Sequence, residues 1–159
     1  MDVREPTPAA RNRRRSDHAA AFGPDESAIV GIDERAATEA RERYRDEPMA
    51  PIDASGPIAD VLGPAEFLLT VRIDARYDRR AEPDPGSRGL VGDLYLTSSR
   101  LILLGRCALT YGLEEIEEID LSGDRLRLLM GPGTGLSLDV DQPRLLRVEI
   151  AAARELARA

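Results

Sequence analysis

Lysine is missing altogether: all 22 basic residues of this chain are arginine. That removes Schiff-base chemistry and the lysine of a phosphate loop together. Histidine occurs once, as His18, and cysteine once, as Cys107. A lone histidine in a polar N-terminal stretch leaves neither a Ser-His-Asp arrangement nor a His-based metal site a home. One cysteine can neither close an intramolecular disulfide nor complete an ordinary zinc site. No catalytic residue, cofactor or metal is therefore expected, and Cys107 reads as a small buried hydrophobe in an apolar strand. Long hydrophobic runs are lacking too. The stretch from Leu101 to Leu104 is far below the roughly 20 residues of a membrane span, and Arg11-Asn12-Arg13-Arg14-Arg15 is not followed by the apolar segment of a signal peptide. A soluble, unprocessed, cytoplasmic protein is expected. Positive charge is in deficit: 29 acidic residues leave a net charge of -7, which disfavours a general nucleic-acid or anionic-membrane binder.

What is present suits one domain and a tail, since 159 residues with 42% apolar content supply one core but hardly two. Residues 1–57, rich in Ala, Arg, Asp, Glu and Pro, read as a flexible, disordered N-terminal arm. Its exception is a marginal helix near 33–47, where Ala36, Ala37, Ala40 and Tyr44 fall at helical spacing. The domain is expected from Ile58 to Ala159. Glu66 to Tyr77 reads as a first strand, with Val71, Ile73, Ala75 and Tyr77 facing the core. Asp78 to Gly89, with two prolines and two glycines, reads as an exposed loop. Further strands are expected around Cys107 to Tyr111 and Leu113 to Leu121. The second of these can be read at period two or three and is taken as a strand. A hairpin of Arg125 to Met130 and Gly135 to Asp141 then turns at Gly131-Pro132-Gly133-Thr134. The last segment changes period. Leu145, Val148 or Glu149, Ala152 and Leu156 form one line, Leu146, Ile150, Ala153 and Ala157 the next, and Asp141 or Gln142 is placed to cap the helix ahead of Pro143.

Between loop and tail lies the most informative stretch, Gly92-Asp93-Leu94-Tyr95-Leu96-Thr97-Ser98-Ser99-Arg100-Leu101-Ile102, a β-hairpin with its turn at Thr97-Ser98-Ser99. With the lead-in Gly63-Pro64-Ala65-Glu66, it resembles the GRAM domain, a branch of the pleckstrin-homology-like (PH-like) superfold, over residues 58–159. The arginine- and alanine-rich composition looks like that of a high-GC bacterium. The resemblance implies a mostly β fold with a C-terminal α-helix: a seven-stranded bent barrel capped by one amphipathic helix. It also implies a non-catalytic binding module, a protein-docking adaptor, not an enzyme. In this superfold a peptide lies along a sheet edge or beside the terminal helix, which here points to Arg144, Leu145 and Arg147 as the docking surface for a protein or peptide partner. Self-association there, or docking of the chain's own 33–47 helix, fits the same features. The alternative is anionic-lipid headgroup binding through Arg76, Arg79, Arg80 and Arg88 around the first loop. Glu82, Asp84 and Asp93 would oppose it.

Three other features have plainer readings. Glu114, Glu115, Glu117 and Glu118 lack the ligand spacing of a calcium loop and read as a solvated strand edge. Gly131 to Gly135 leads into a strand, not a helix, and reads as a turn. Arg11 to Arg15 reads as a solvated tail.

Overall fold

The computed structural model describes residues 26–159. The expected disorder of the first 25 residues, His18 and the Arg11 to Arg15 run lie outside the described residues. Helix α1 (Glu26–Asp46) is followed by a short helix α2 (Pro57–Val61), strands β1 (Leu68–Asp78), β2 (Leu90–Thr97), β3 (Arg100–Gly105) and β4 (Ala108–Gly112), a 3-10 turn (Leu113–Glu115), strands β5 (Glu118–Ser122), β6 (Arg125–Leu129) and β7 (Gly135–Asp139), and helix α3 (Pro143–Arg158). The chain divides into two compact units between Ile32 and Asp33, inside α1. In the first, residues 26–32 are helical, with Ile29 and Ile32 exposed. The second, Asp33–Ala159, holds every strand and helix α3.

All seven strands form one antiparallel sheet in the order β4-β3-β2-β1-β7-β6-β5. A single face of that sheet supplies one core: Leu69, Ala75 and Tyr77 from β1, Leu94 and Leu96, Leu101 and Leu103, Leu126 and Leu128, Leu136 and Leu138, with Leu109, Tyr111, Ile119 and Leu121 partly buried at its rims. Seven strands share one cluster only if the sheet curls on itself. The curl stops short of closure, because β4 and β5 remain the two ends. Leu146, Ile150 and Ala153 of α3 complete the same cluster, so the helix covers the open mouth of the bent barrel. The close approach of β2 and β3 needs glycine at one place. Gly92 pairs with Gly105, and a Cβ on Gly105 would stand 2.5 Å from the Val91 carbonyl oxygen.

Packing reaches further towards the N-terminus than Ile58. Met49 is buried in the main core, Ile52 bridges to Leu68, and Ile58 joins Leu68, Tyr95 and Ile102 in a second cluster on the outer face of the sheet. Four local expectations need correcting. In β1, strict alternation fails: the register with β2 shifts between Arg72 and Ala75, Asp74 takes φ 54°, and Ile73 is 64% exposed while Val71 packs in the outer cluster. The Leu113 to Leu121 segment is a 3-10 turn and then a strand, because Leu113 and Ile116, three apart, both enter the core. Cys107 is exposed, since it lies in the turn ahead of β4. Neither Asp141 nor Gln142 caps α3 through its side chain; Gln142 stands at the N-cap with φ 52°.

Candidate functional site

The N-terminus of α3 is capped from a distance. Backbone N–H groups of Arg144 and Leu145 donate to the two carboxylate oxygens of Asp33, at 2.9 and 3.0 Å. Asp33 is buried, one turn before Ala37 and two before Ala40, and these two alanines pack with Val148, Leu145 and Tyr44. Small residues at spacing three to four let α1 approach α3 closely. The two lines of apolar residues on α3 therefore meet different partners: Leu146, Ile150 and Ala153 meet the barrel, while Leu145 and Val148 meet α1. Beneath this contact, Glu149 pairs with Arg72 of β1 at 2.9 Å, each side chain 10% exposed. Arg72 also donates to the Asp141 carbonyl, tying β1 to the entrance of α3. Burial pushes the Glu149 carboxyl up from its ordinary value, against the pull of the Arg72 guanidinium.

Beside this packed seam an open cleft of about 310 Å³ is lined by Glu34, Ala37, Thr38, Arg41, Leu121, Arg144 and Arg147. Ala37 and Leu121 form its apolar part, and three arginines from α1 and α3 stand around it. Of the residues expected to dock a partner, Arg144 is already engaged by Asp124 at 3.1 Å, by Asp33 at 3.5 Å and by Glu34 at 3.7 Å. Leu145 is half-buried against α1, so the chain's own helix does occupy part of the expected surface. Arg147 is exposed and, like Arg41, has no ion pair among the described residues. Sequence reading missed Arg41 and Asp33, which lie more than 100 residues from α3.

The β1–β2 loop is arranged differently. Arg80 pairs with Asp84 at 2.7 Å, Arg76 donates to the Arg88 carbonyl, and Asp78 holds both the Arg80 amide and the Ser87 hydroxyl. The space bounded by Arg76, Arg88, Asp78 and Asp139 is about 20 Å³, room for one water. Arg79 is exposed. No group of three His, Cys, Asp or Glu side chains suited to a metal occurs among the described residues, and no helix there is long and apolar enough to cross a membrane.

The motif that carried the family resemblance is bound together in space. Glu66 takes the Arg100 guanidinium with both carboxylate oxygens, at 2.8 to 3.2 Å, and accepts from the Thr97 hydroxyl at 2.6 Å and the Gly63 amide at 3.0 Å. Thr97 in turn accepts from the amides of Ser99 and Arg100, closing the hairpin turn. The lead-in and the turn are thus one network. With strand order 4-3-2-1-7-6-5 and a terminal helix over the mouth, the architecture is the one implied by the resemblance.

The fold is a bent, seven-stranded antiparallel sheet with a terminal helix across its mouth. Among solved structures, the chain is similar to the Vps36 N-terminal PH domain (18% identity, TM-score 0.47, covering 61% of this chain and 83% of that one). It is also similar to the C-terminal domain of an unknown protein from Leishmania infantum (16% identity, TM-score 0.49, covering 62% and 91%). No family model matches the chain, and no curated protein does.

Proposed function

We propose that this chain is a GRAM-type, non-catalytic binding module, a cytoplasmic bacterial adaptor that docks an acidic protein segment in the cleft between α1, α3 and β5. The observation that carries the reading is that Arg41 and Arg147, neither in an ion pair among the described residues, stand beside Ala37 and Leu121, while Arg144 is held at the rim by Asp33, Glu34 and Asp124. An extended acidic peptide with one apolar side chain suits that lining, because arginine forks pair with carboxylates while the apolar patch takes the anchor. Leu121 also lies on β5, an end strand with a free edge. Binding of an anionic lipid headgroup is the weaker reading, since the loop arginines Arg76 and Arg80 are spent on internal partners.

Two arms separate the readings. The full chain is panned against a displayed library of acidic peptides, and sedimented with phosphatidylcholine vesicles with and without phosphatidylserine. We expect peptide capture that Arg41→Glu with Arg147→Glu abolishes, and no vesicle retention. Retention on the anionic vesicles that disappears in Arg79→Ala with Arg80→Ala, without peptide capture, overturns the adaptor reading.

A further inference from the structure

Two rows of side chains face each other along one side of the α1–α3 seam. Glu34, Thr38, Arg41 and Arg45 form the row on α1, and Arg144, Arg147, Ala151 and Glu155 the row on α3. Each row steps by three or four residues, so each is one face of its helix. The helices run side by side in the same direction, because Asp33 meets the start of α3 while Tyr44 and Leu156 line one space near its end. The cleft beside Leu121 therefore continues past Arg41, which borders both, into an apolar space of about 470 Å³. Its floor is Met49 and Val148, both buried, with Tyr44, Ala152 and Leu156 half-buried around them. The whole groove lies within Asp33–Ala159. Its charge changes from one end to the other. At the near end Arg41 and Arg147 have no ion pair among the described residues. At the far end Asp46, Glu47 and Glu155 outnumber Arg45, so a carboxylate is attracted only to the near end.

We propose that this apolar space is a second subsite for the same acidic segment: carboxylates sit between Arg41 and Arg147, and a large apolar side chain about four residues along the extended chain enters the space over Ala151 and Ala152. The inference rests on the docking reading above and adds the pattern the partner must carry. Ala152 and Glu155 lie eight residues beyond Arg144 and Arg147 on α3, about 12 Å at about 1.5 Å per residue. An extended chain spans that distance in about four residues at about 3.3 Å each. The alanines keep the walls low enough for a leucine-sized side chain, and Met49 is a floor that adapts to its shape. The change of charge along the groove fixes which end of the pattern goes where, because an acidic end shifted to the far end would meet Glu47 and Glu155.

Fluorescence anisotropy of the full chain with labelled Ser/Gly peptides tests this. Each peptide carries a pair of glutamates and either no leucine or one leucine placed about two, four or seven residues away, in either chain direction. In one direction the four-residue spacing should bind roughly ten-fold more tightly than the leucine-free peptide, and the other spacings should gain little. Ala151→Gln, a neutral and helix-compatible change at an exposed position, should erase the difference between the spaced and the leucine-free peptide, with circular dichroism confirming an intact fold. Acidic peptides that bind alike at every spacing, or a gain that survives Ala151→Gln, overturn the second subsite and leave the docking reading standing. No binding by any of the peptides removes both. If the chain in that case also forms a concentration-dependent dimer on sedimentation, the groove belongs to a second copy.

Discussion

Glu66 illustrates how one side chain can hold a motif together. Burial alone would raise its carboxyl, but the Arg100 guanidinium, the Thr97 hydroxyl and the Gly63 amide outweigh that and bring it down to about 2. A carboxylate whose folded value is depressed stabilises the fold above its unfolded value and loses that contribution as the pH falls through the folded one. Stability to urea should therefore decline between about pH 4.5 and pH 2 by on the order of 3 kcal/mol from this residue. Glu66→Gln should be less stable at pH 7 and show a flatter acid limb. A variant with the same acid limb as the parent would show that the network does not set it. The residues of this network were visible in the sequence as a lead-in and a turn, since hairpins are local. Asp33 was not. Its partners lie 111 and 112 residues away, and an aspartate in an Arg- and Glu-rich helix carries no mark that distinguishes it from its solvated neighbours.

Among the elements, α3 was the most legible, because an apolar stripe at period 3.6 must meet something. That it carries two stripes with two destinations was decided by packing. Its second stripe explains why α1, whose own stripe is thin, is helical across residues 33–46: the contact with α3 supplies what propensity alone does not. Placing a charge in that seam should undo it. In Ala40→Glu, hydrogen exchange at residues 33–46 should lose its protection while the amides of β2 and β3 keep theirs. Unchanged protection in α1 would mean that the helix does not depend on α3. Where alternation misled, in β1, the cause is a bulge. One residue at φ 54° resets which side faces in, and Asp74 is stabilised there by the Asp93 carboxylate accepting its amide. A side chain on the neighbouring strand made that choice. The 3-10 turn at Leu113 had a signal, since Leu113 and Ile116 lie at period three, but bounding glycine and serine residues favoured the strand reading.

At the scale of the molecule, the Arg72–Glu149 pair joins the centre of the sheet to the helix that covers its mouth. With both side chains 10% exposed, removing one partner strands the other in a poorly hydrated place. Arg72→Ala should cost about 3 kcal/mol in chemical denaturation, whereas Arg80→Ala, at an exposed pair, should cost under about 1 kcal/mol. Equal losses would contradict the view that helix and sheet are tied at this point. Hydrophobic periodicity by itself determined that this chain is mostly β with a closing helix, because the order of short alternating segments and their turns is written locally. Only the tertiary structure decided that the sheet curls without closing, that α1 covers the second face of α3, and which arginines are left without an ion pair among the described residues. Those outcomes depend on pairing between residues distant along the chain, and ion pairing leaves no period in a sequence.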